Sequence, residues 1–135
     1  MTASHMLDTD TVSYALRGIG AVGERLLAMR PSSVAVSALT VAELRFGADH
    51  RKSKRLHRLI DTFCAGVMVL AFDEAAAARF GIVGAALAVR GEPIGQIDTL
   101  IAAHALAEDL TLVTNNIKHY SRVPSLRTEN WLAAE

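Results

Sequence analysis

Short strand-like apolar runs alternate with longer helix-like stretches along most of this chain, and that alternation constrains its fold more than any other feature. Met6-Leu7, Val34 to Val36, Val67 to Phe72 and Leu110 to Thr114 read as strands. Between them Thr11 to Arg17, Val22 to Arg30, Leu39 to Ala48, Lys52 to Cys64, Glu74 to Arg90 and Thr99 to Glu108 carry Ala, Leu, Arg and Glu with apolar spacings near 3.6. Strands separated by helices pair in parallel, because the helix serves as the crossover, so an α/β fold with a mostly parallel sheet is predicted. Gly91, Pro93 and Gly95 part the last two long helices, and Pro124 interrupts the tail. A chain of 135 residues fits one domain, expected over residues 6–135, with residues 1–5 a cloning scar or disordered leader outside it.

Hydrophobic residues make up 51% of the chain and charged residues 21%, enough apolar surface to exclude disorder as the main state. The longest apolar stretch, Cys64 to Phe72 with only Gly66 inside it, falls far short of the roughly 20 residues that span a bilayer, so no membrane partner is expected. A lone cysteine and the lack of a secretory leader pattern make the cytoplasm the expected compartment. Lys plus Arg balance Asp plus Glu at 14 each, so whole-molecule charge implies no polyanion partner. Locally the balance breaks: from Arg45 to Arg58 six basic residues face one acid, Asp49. That run reads either as a solvated helix face or as a phosphate-contacting edge.

In parallel sheets ligands bind beyond the carboxyl ends of the strands. Asp8 follows the first predicted strand, Glu43 lies on the helix after the second, Asp98 opens the helix after the glycine-proline break, and Asn115-Asn116 follow the last strand. Apolar neighbours around Glu43 and Asp98 imply partial burial, and no Lys or Arg is near each of the three acids in sequence. Carboxylates gathered so would repel one another unless a hard divalent cation, Mg²⁺ or Mn²⁺, offset them. Taken singly, Asp98 reads equally as a helix N-terminal acid and Glu43 as half of an ordinary ion pair.

The segments Leu7-Asp8-Thr9-Asp10, Thr40 to Ala48, Ile97-Asp98-Thr99 to Ala105, Leu112 to Asn116 and Val123 to Trp131, in this order, resemble the PIN-domain nucleases, and among them the VapC toxins of type II toxin-antitoxin modules. The resemblance covers the chain from Met6 onward. It implies a PIN-like three-layer sandwich, a metal-dependent endoribonuclease acting on RNA, with tRNA a candidate substrate, a VapB-like antitoxin partner, a homodimer and a larger toxin-antitoxin complex. Asp8, Glu43 and Asp98 match the family's acidic metal-binding residues, and Asn116 its fourth polar position. Many members carry aspartate there, so the neutral amide removes a charge that a second ion would use. Thr9 and Thr114 are expected to orient water or phosphate, and Arg45, Lys118 and Arg122 to contact the RNA.

Two rival readings and several incidental features complete the reading. Asp8-Thr9-Asp10-Thr11-Val12 also follows the D-x-D-x-T pattern of haloacid-dehalogenase-like phosphatases up to its last place, where Val12 stands, with Asp8 as nucleophile, although Asp98 lacks the acidic neighbour such enzymes need. A non-catalytic module that binds a partner or DNA is the other. Gly18 to Gly23 spells G-x-G-x-x-G, but a helical stretch precedes it where a dinucleotide site needs a strand, so an inter-helix turn is predicted. His50, His57, His104 and His119 show no zinc spacing and read as structural, as does Cys64. Trp131 is expected to anchor the tail.

Overall fold

A computed structural model describes residues 2–133 of the chain. Strands β1 (His5–Leu7), β2 (Val34–Ser37), β3 (Met68–Leu70), β4 (Thr111–Val113) and β5 (Thr128–Glu129) form one sheet in the order β3-β2-β1-β4-β5, every pair parallel. Helices α1 (Thr9–Arg17), α2 (Val22–Leu27), α3 (Ala38–His50), α4 (Lys54–Ala65), α5 (Glu74–Val89), α6 (Gln96–Ala107) and α7 (Ile117–Tyr120) flank it.

Successive strand side chains point to opposite faces, and both faces are apolar, as a sheet covered on two sides requires. Met6, Ala35 and Leu112 pack on one side with Val83 and Leu87 of α5 and Ile101, Ala102 and Ala105 of α6. Leu7, Val34, Val36 and Val113 pack on the other with Val12 of α1, Leu44 and Ala48 of α3, and Ile60 of α4. The α/β fold with a parallel sheet expected from the alternation is thus present, in the three-layer sandwich that the resemblance implies. Among the described residues no helix is long and apolar enough to cross a membrane.

Side-chain caps set where the helices begin. The carboxylate of Asp8 accepts from Thr11 N–H, the hydroxyl of Ser37 from Leu39 N–H, that of Ser53 from Leu56 N–H, and the carboxylate of Asp73 from Ala76 N–H. Each cap satisfies a donor the helix itself leaves unpaired. Asp8 directly follows β1 and Ser37 is the last residue of β2, so α1 and α3 start with no intervening loop at the carboxyl edge of adjacent strands.

Four details depart from the sequence reading. The sheet starts at His5, and Ser4 joins it, donating N–H to Ser33 O and accepting from Thr111 N–H, so these two residues lie inside the fold and not in a leader. β3 is shorter than predicted and lies at the sheet edge, with Val69 45% exposed, and α2 stops at Leu27. Neither α7 nor β5 was predicted: one is a single turn too short for periodicity, the other a polar pair. β5 is held by Thr114 N–H donating to Glu129 O and Leu112 N–H to Arg127 O, and beyond it Trp131, 2% exposed, does anchor the tail.

The G-x-G-x-x-G run is the α1–α2 turn. Gly18 caps α1 in the left-handed region, and Gly20 has φ +67° where an added Cβ would lie 2.5 Å from Leu132 O. The glycine lets the turn close on the tail, with Ala21 N–H donating to Leu132 O at 2.7 Å.

Candidate active site

Asp8, Thr9, Asp10, Glu43, Asp98, Asn116 and Tyr120 line one small cleft of about 80 Å³ at the carboxyl edge of the sheet. They come from the start of α1, from α3, from the first turn of α6 and from the β4–α7 segment, so four stretches far apart in the chain converge on one space. The space suits an ion with a few waters.

Asp8 is the deepest of the acids, 5% exposed, its own N–H donating to Val113 O and its carboxylate accepting from Thr11 N–H at 2.9 Å. Burial pushes the Asp8 carboxyl above the usual carboxylate range, hydrogen bonds from Thr11 and Thr114 offset part of that rise, and the charge of Asp10 adds to it. Thr114 is itself fully buried and also accepts Asn116 N–H at 3.0 Å, which ties the end of β4 to Asp8. Thr11 donates its hydroxyl to Val113 O, fixing α1 against the same strand.

Glu43 is held from α1: the Thr9 hydroxyl donates to its Oε1 at 2.5 Å and lies 3.3 Å from Thr40 Oγ1. Asp98 sits in the first turn of α6, after Gly95, whose φ of +95° swings the chain into the helix, and Thr99 donates its hydroxyl back to Gly95 O. Among the described residues neither Lys nor Arg pairs with Asp8, Glu43 or Asp98. The N-terminal ends of α1 and α6, with their partial positive charge, supply some compensation.

Tyr120 of the cleft wall and His119 behind Asp98 carried no recognisable sequence signal. His119 Nε2–H donates to Ile94 O at 2.6 Å and lies 3.3 Å from Asp98 Oδ2, so this histidine is not incidental. Tyr120, 2% exposed, lines the cleft beside Asp98. Burial, together with the charges of Asp98, Asp8 and Glu43, pushes its pKa up, so it stays a donor at neutral pH. Both lie on α7, a turn whose Tyr120 N–H bonds Asn116 O, and only that turn folds them back over the cleft.

The basic residues expected near RNA are placed differently. Arg45 is engaged between helices, its guanidinium on Asp61 at 2.5 Å and on His57 O at 3.2 Å, so it is a staple of α3 to α4. Arg122 donates to Pro93 O and accepts at its own carbonyl from Arg90, bracing the loop before α6. Lys118 is exposed on α7 beside the cleft residues. Asn115 turns away from the cleft and accepts from Asn130.

The donor set is oxygen throughout, which suits a hard divalent cation. Among the described residues no group of three or more His, Cys, Asp or Glu forms a ready metal cage, so the acids surround a space without closing on it. A cation would draw them together against their mutual repulsion, and the residues fit such an ion by charge and by chemistry.

The PIN domain family model matches residues 6–125. The chain belongs to the PIN-domain family. PIN-domain ribonucleases are generally dependent on a divalent metal. The domain is 37% identical to Ribonuclease VapC2 of Haemophilus influenzae, over 95% of this chain and 98% of the relative. It is 35% identical to the tRNA(fMet)-specific endonuclease VapC of Shigella flexneri, over 93% and 96%. Among solved structures it resembles DNA-bound VapBC from Salmonella typhimurium, with TM-score 0.91, 32% identity and coverage of 96% and 99%. It also resembles VapBC2 from Rickettsia felis bound to a promoter DNA fragment, with TM-score 0.88, 33% identity and coverage of 94% and 98%. Within this PIN domain the Asp8 to Val12 run occupies the N-terminus of α1, with Asp10 exposed on the helix, and the phosphatase reading falls.

Proposed function

We propose that this PIN domain is an endoribonuclease that hydrolyses phosphodiester bonds in RNA, with tRNA as substrate class, and that it is the toxin of a type II toxin-antitoxin pair. The observation that carries the reading is the single cleft shared by Asp8, Glu43 and Asp98, with which no Lys or Arg pairs among the described residues. The tRNA class follows the Shigella flexneri relative, named a tRNA(fMet)-specific endonuclease. The partner is a VapB-like antitoxin, as in the VapBC complexes of Salmonella typhimurium and Rickettsia felis, and the toxin acts in the cytoplasm as a homodimer or in a larger complex with that antitoxin.

Asp8, Glu43 and Asp98 would hold the ion, Mg²⁺ or Mn²⁺, with Asn116 at the rim. Bound there, the ion supplies positive charge against the phosphodiester and acidifies water at the site. The chain's own groups do the positioning. Thr9 fixes the rotamer of Glu43; Thr11 and Thr114 fix Asp8; His119 orients Asp98, beside Tyr120. Asn116, neutral, orients water or phosphate through its amide, and favours one ion over two.

The test is cleavage of total RNA by purified protein. Fragmentation is expected with Mg²⁺ or Mn²⁺, none with EDTA, and none by Asp98→Asn, which keeps its melting temperature without metal. Cleavage by Asp98→Asn, or none by the unaltered protein with either ion, overturns the reading.

A further inference from the structure

A second groove runs on from the acid cleft. It shares Thr9, Asp10 and Glu43 with the cleft and continues between α1 and the α3–α4 turn, with a volume of about 540 Å³. Its far walls carry Arg17, Arg51 and Arg55 over an apolar floor that includes Leu44 and Leu56. The charge at this end is unspent. Three arginines elsewhere meet carboxylates: Arg45 on Asp61, Arg90 on Glu92 and Arg127 on Asp109. Arg51, Lys52, Lys54, Arg55 and Arg58 are all exposed, and among the described residues no hydrogen bond or ion pair holds their side chains. In a chain of zero net charge, five such cations within eight residues, from the α3–α4 turn into the first half of α4, are a local excess.

Resting on the endoribonuclease reading, we infer that this groove carries the RNA strand away from the scissile phosphate. Arg51 and Arg55 bind phosphates of flanking nucleotides, and Lys52, Lys54 and Arg58 strengthen the field around them. Guanidinium groups match phosphate oxygens in pairs, and arginines left unpaired in the free protein give up no ion pair on binding. The leucine floor meets ribose and base faces, which carry no charge to bury. An acid-lined cleft repels a polyanion once its ion is absent, so a cationic track leading into it supplies the attraction that the cleft does not. A protein segment would satisfy the same arginines only with several carboxylates of its own, whereas RNA brings a charge with every nucleotide.

The experiment compares Arg51→Gln/Arg55→Gln with the unaltered protein, each with Mg²⁺, for binding of fluorescein-labelled unfractionated tRNA on an Asp98→Asn background, and for cleavage without that substitution. Arg79→Gln, an equal change per site on the α5 side of the sheet, is the control. For the double variant Kd and KM should rise about tenfold with kcat unchanged at saturation, and the salt slope of log Kd should shrink by about 1.4, or 0.7 for each phosphate contact. Melting temperature should stay the same, since neither side chain has a partner. An unchanged Kd and salt slope overturns the inference, as does an equal loss in Arg79→Gln. Weakened antitoxin binding with unchanged tRNA binding overturns it too, and gives the groove to the protein partner. Absence of cleavage by the unaltered protein strikes instead at the endoribonuclease reading, and the tRNA-binding comparison still decides the groove.

Discussion

Replacing Asp8 by asparagine separates the two tasks that one buried carboxylate performs. Asp8 caps α1 through Thr11 N–H and accepts from Thr114, at 5% exposure, so its oxygen is structural while its charge is not. Asparagine is as good an N-cap as aspartate and nearly the same size, so Asp8→Asn keeps the Thr11 bond and removes the charge. Asp8→Ala loses the cap from Thr11 N–H, at about 1 kcal/mol, and deprives the buried Thr114 hydroxyl of its Asp8 acceptor, at roughly 1 kcal/mol more. Metal-free Asp8→Ala should therefore melt below Asp8→Asn by about 2 kcal/mol, or roughly 7 °C for a chain of 135 residues. Because burial raises the Asp8 pKa in the folded state, its contribution is favourable below the unfolded pKa and is lost as pH rises through the folded one. Metal-free Asp8→Asn should consequently match the unaltered protein at low pH and exceed it at pH 7. With Mn²⁺ at a hundredfold excess over its Kd the unaltered protein should gain about 2.7 kcal/mol, and Asp8→Asn much less. Thermal melts over pH 4–8, with and without Mn²⁺, read all of this, beside an RNA-cleavage assay in which both variants are inactive. Asp8→Asn melting below the unaltered protein at pH 7 without metal, or cleaving RNA, would refute the reasoning.

Three further outcomes are expected. His104 is fully buried, its Nδ1 2.9 Å from Ser37 Oγ and its Nε2 without a hydrogen bond, and burial lowers its pKa against the opposing pull of Glu108 and Asp73. Its share of stability is complete above the unfolded pKa near 6.5 and falls as pH drops below it, so urea midpoints should decline from pH 7 to 5.5, and His104→Gln should flatten that decline. Gly20→Ala puts a Cβ 2.5 Å from Leu132 O at φ +67° and should cost at least about 2 kcal/mol in thermal melts, against about 1 kcal/mol for Gly18→Ala, where a Cβ meets nothing. His119→Ala removes the contact with Asp98 and should raise the Mn²⁺ concentration for half-maximal cleavage by roughly 10- to 100-fold, while His119→Gln, able to bond Ile94 O, recovers part of it; equal half-maximal concentrations for all three proteins would show that His119 does not position Asp98.

The layer architecture and the core were legible along the chain, because period-2 and period-3.6 apolar patterns are local and both faces of a parallel sheet must be covered. Placing Asp8, Glu43 and Asn116 at one edge was legible for a related reason: parallel strands send every carboxyl end the same way, and these residues follow β1, β2 and β4; Asp98 joins them because α6 runs back from that edge to the start of β4. Helix α7 and strand β5 were not, since four and two residues carry no period, and their positions come from backbone bonds to Asn116 and to β4. With them went Tyr120 and His119, whose value lies wholly in what they touch.

The charge run from Arg45 to Arg58 divides along the same line. Its excess of positive charge is a property of composition and needs no fold. That Arg45 is spent on Asp61, while Arg51 and Arg55 face an open groove joined to the acid cleft, depends on the pairing of α3 with α4. Sequence alone settled the long helices, the four apolar strands and the sheet edge toward which the carboxylates lie, since local periodicity and strand direction govern these. Tertiary packing alone decided which side chains are neutralised, which are left to bind, and which residues of the tail close the site, because these depend on distances between segments far apart in the chain.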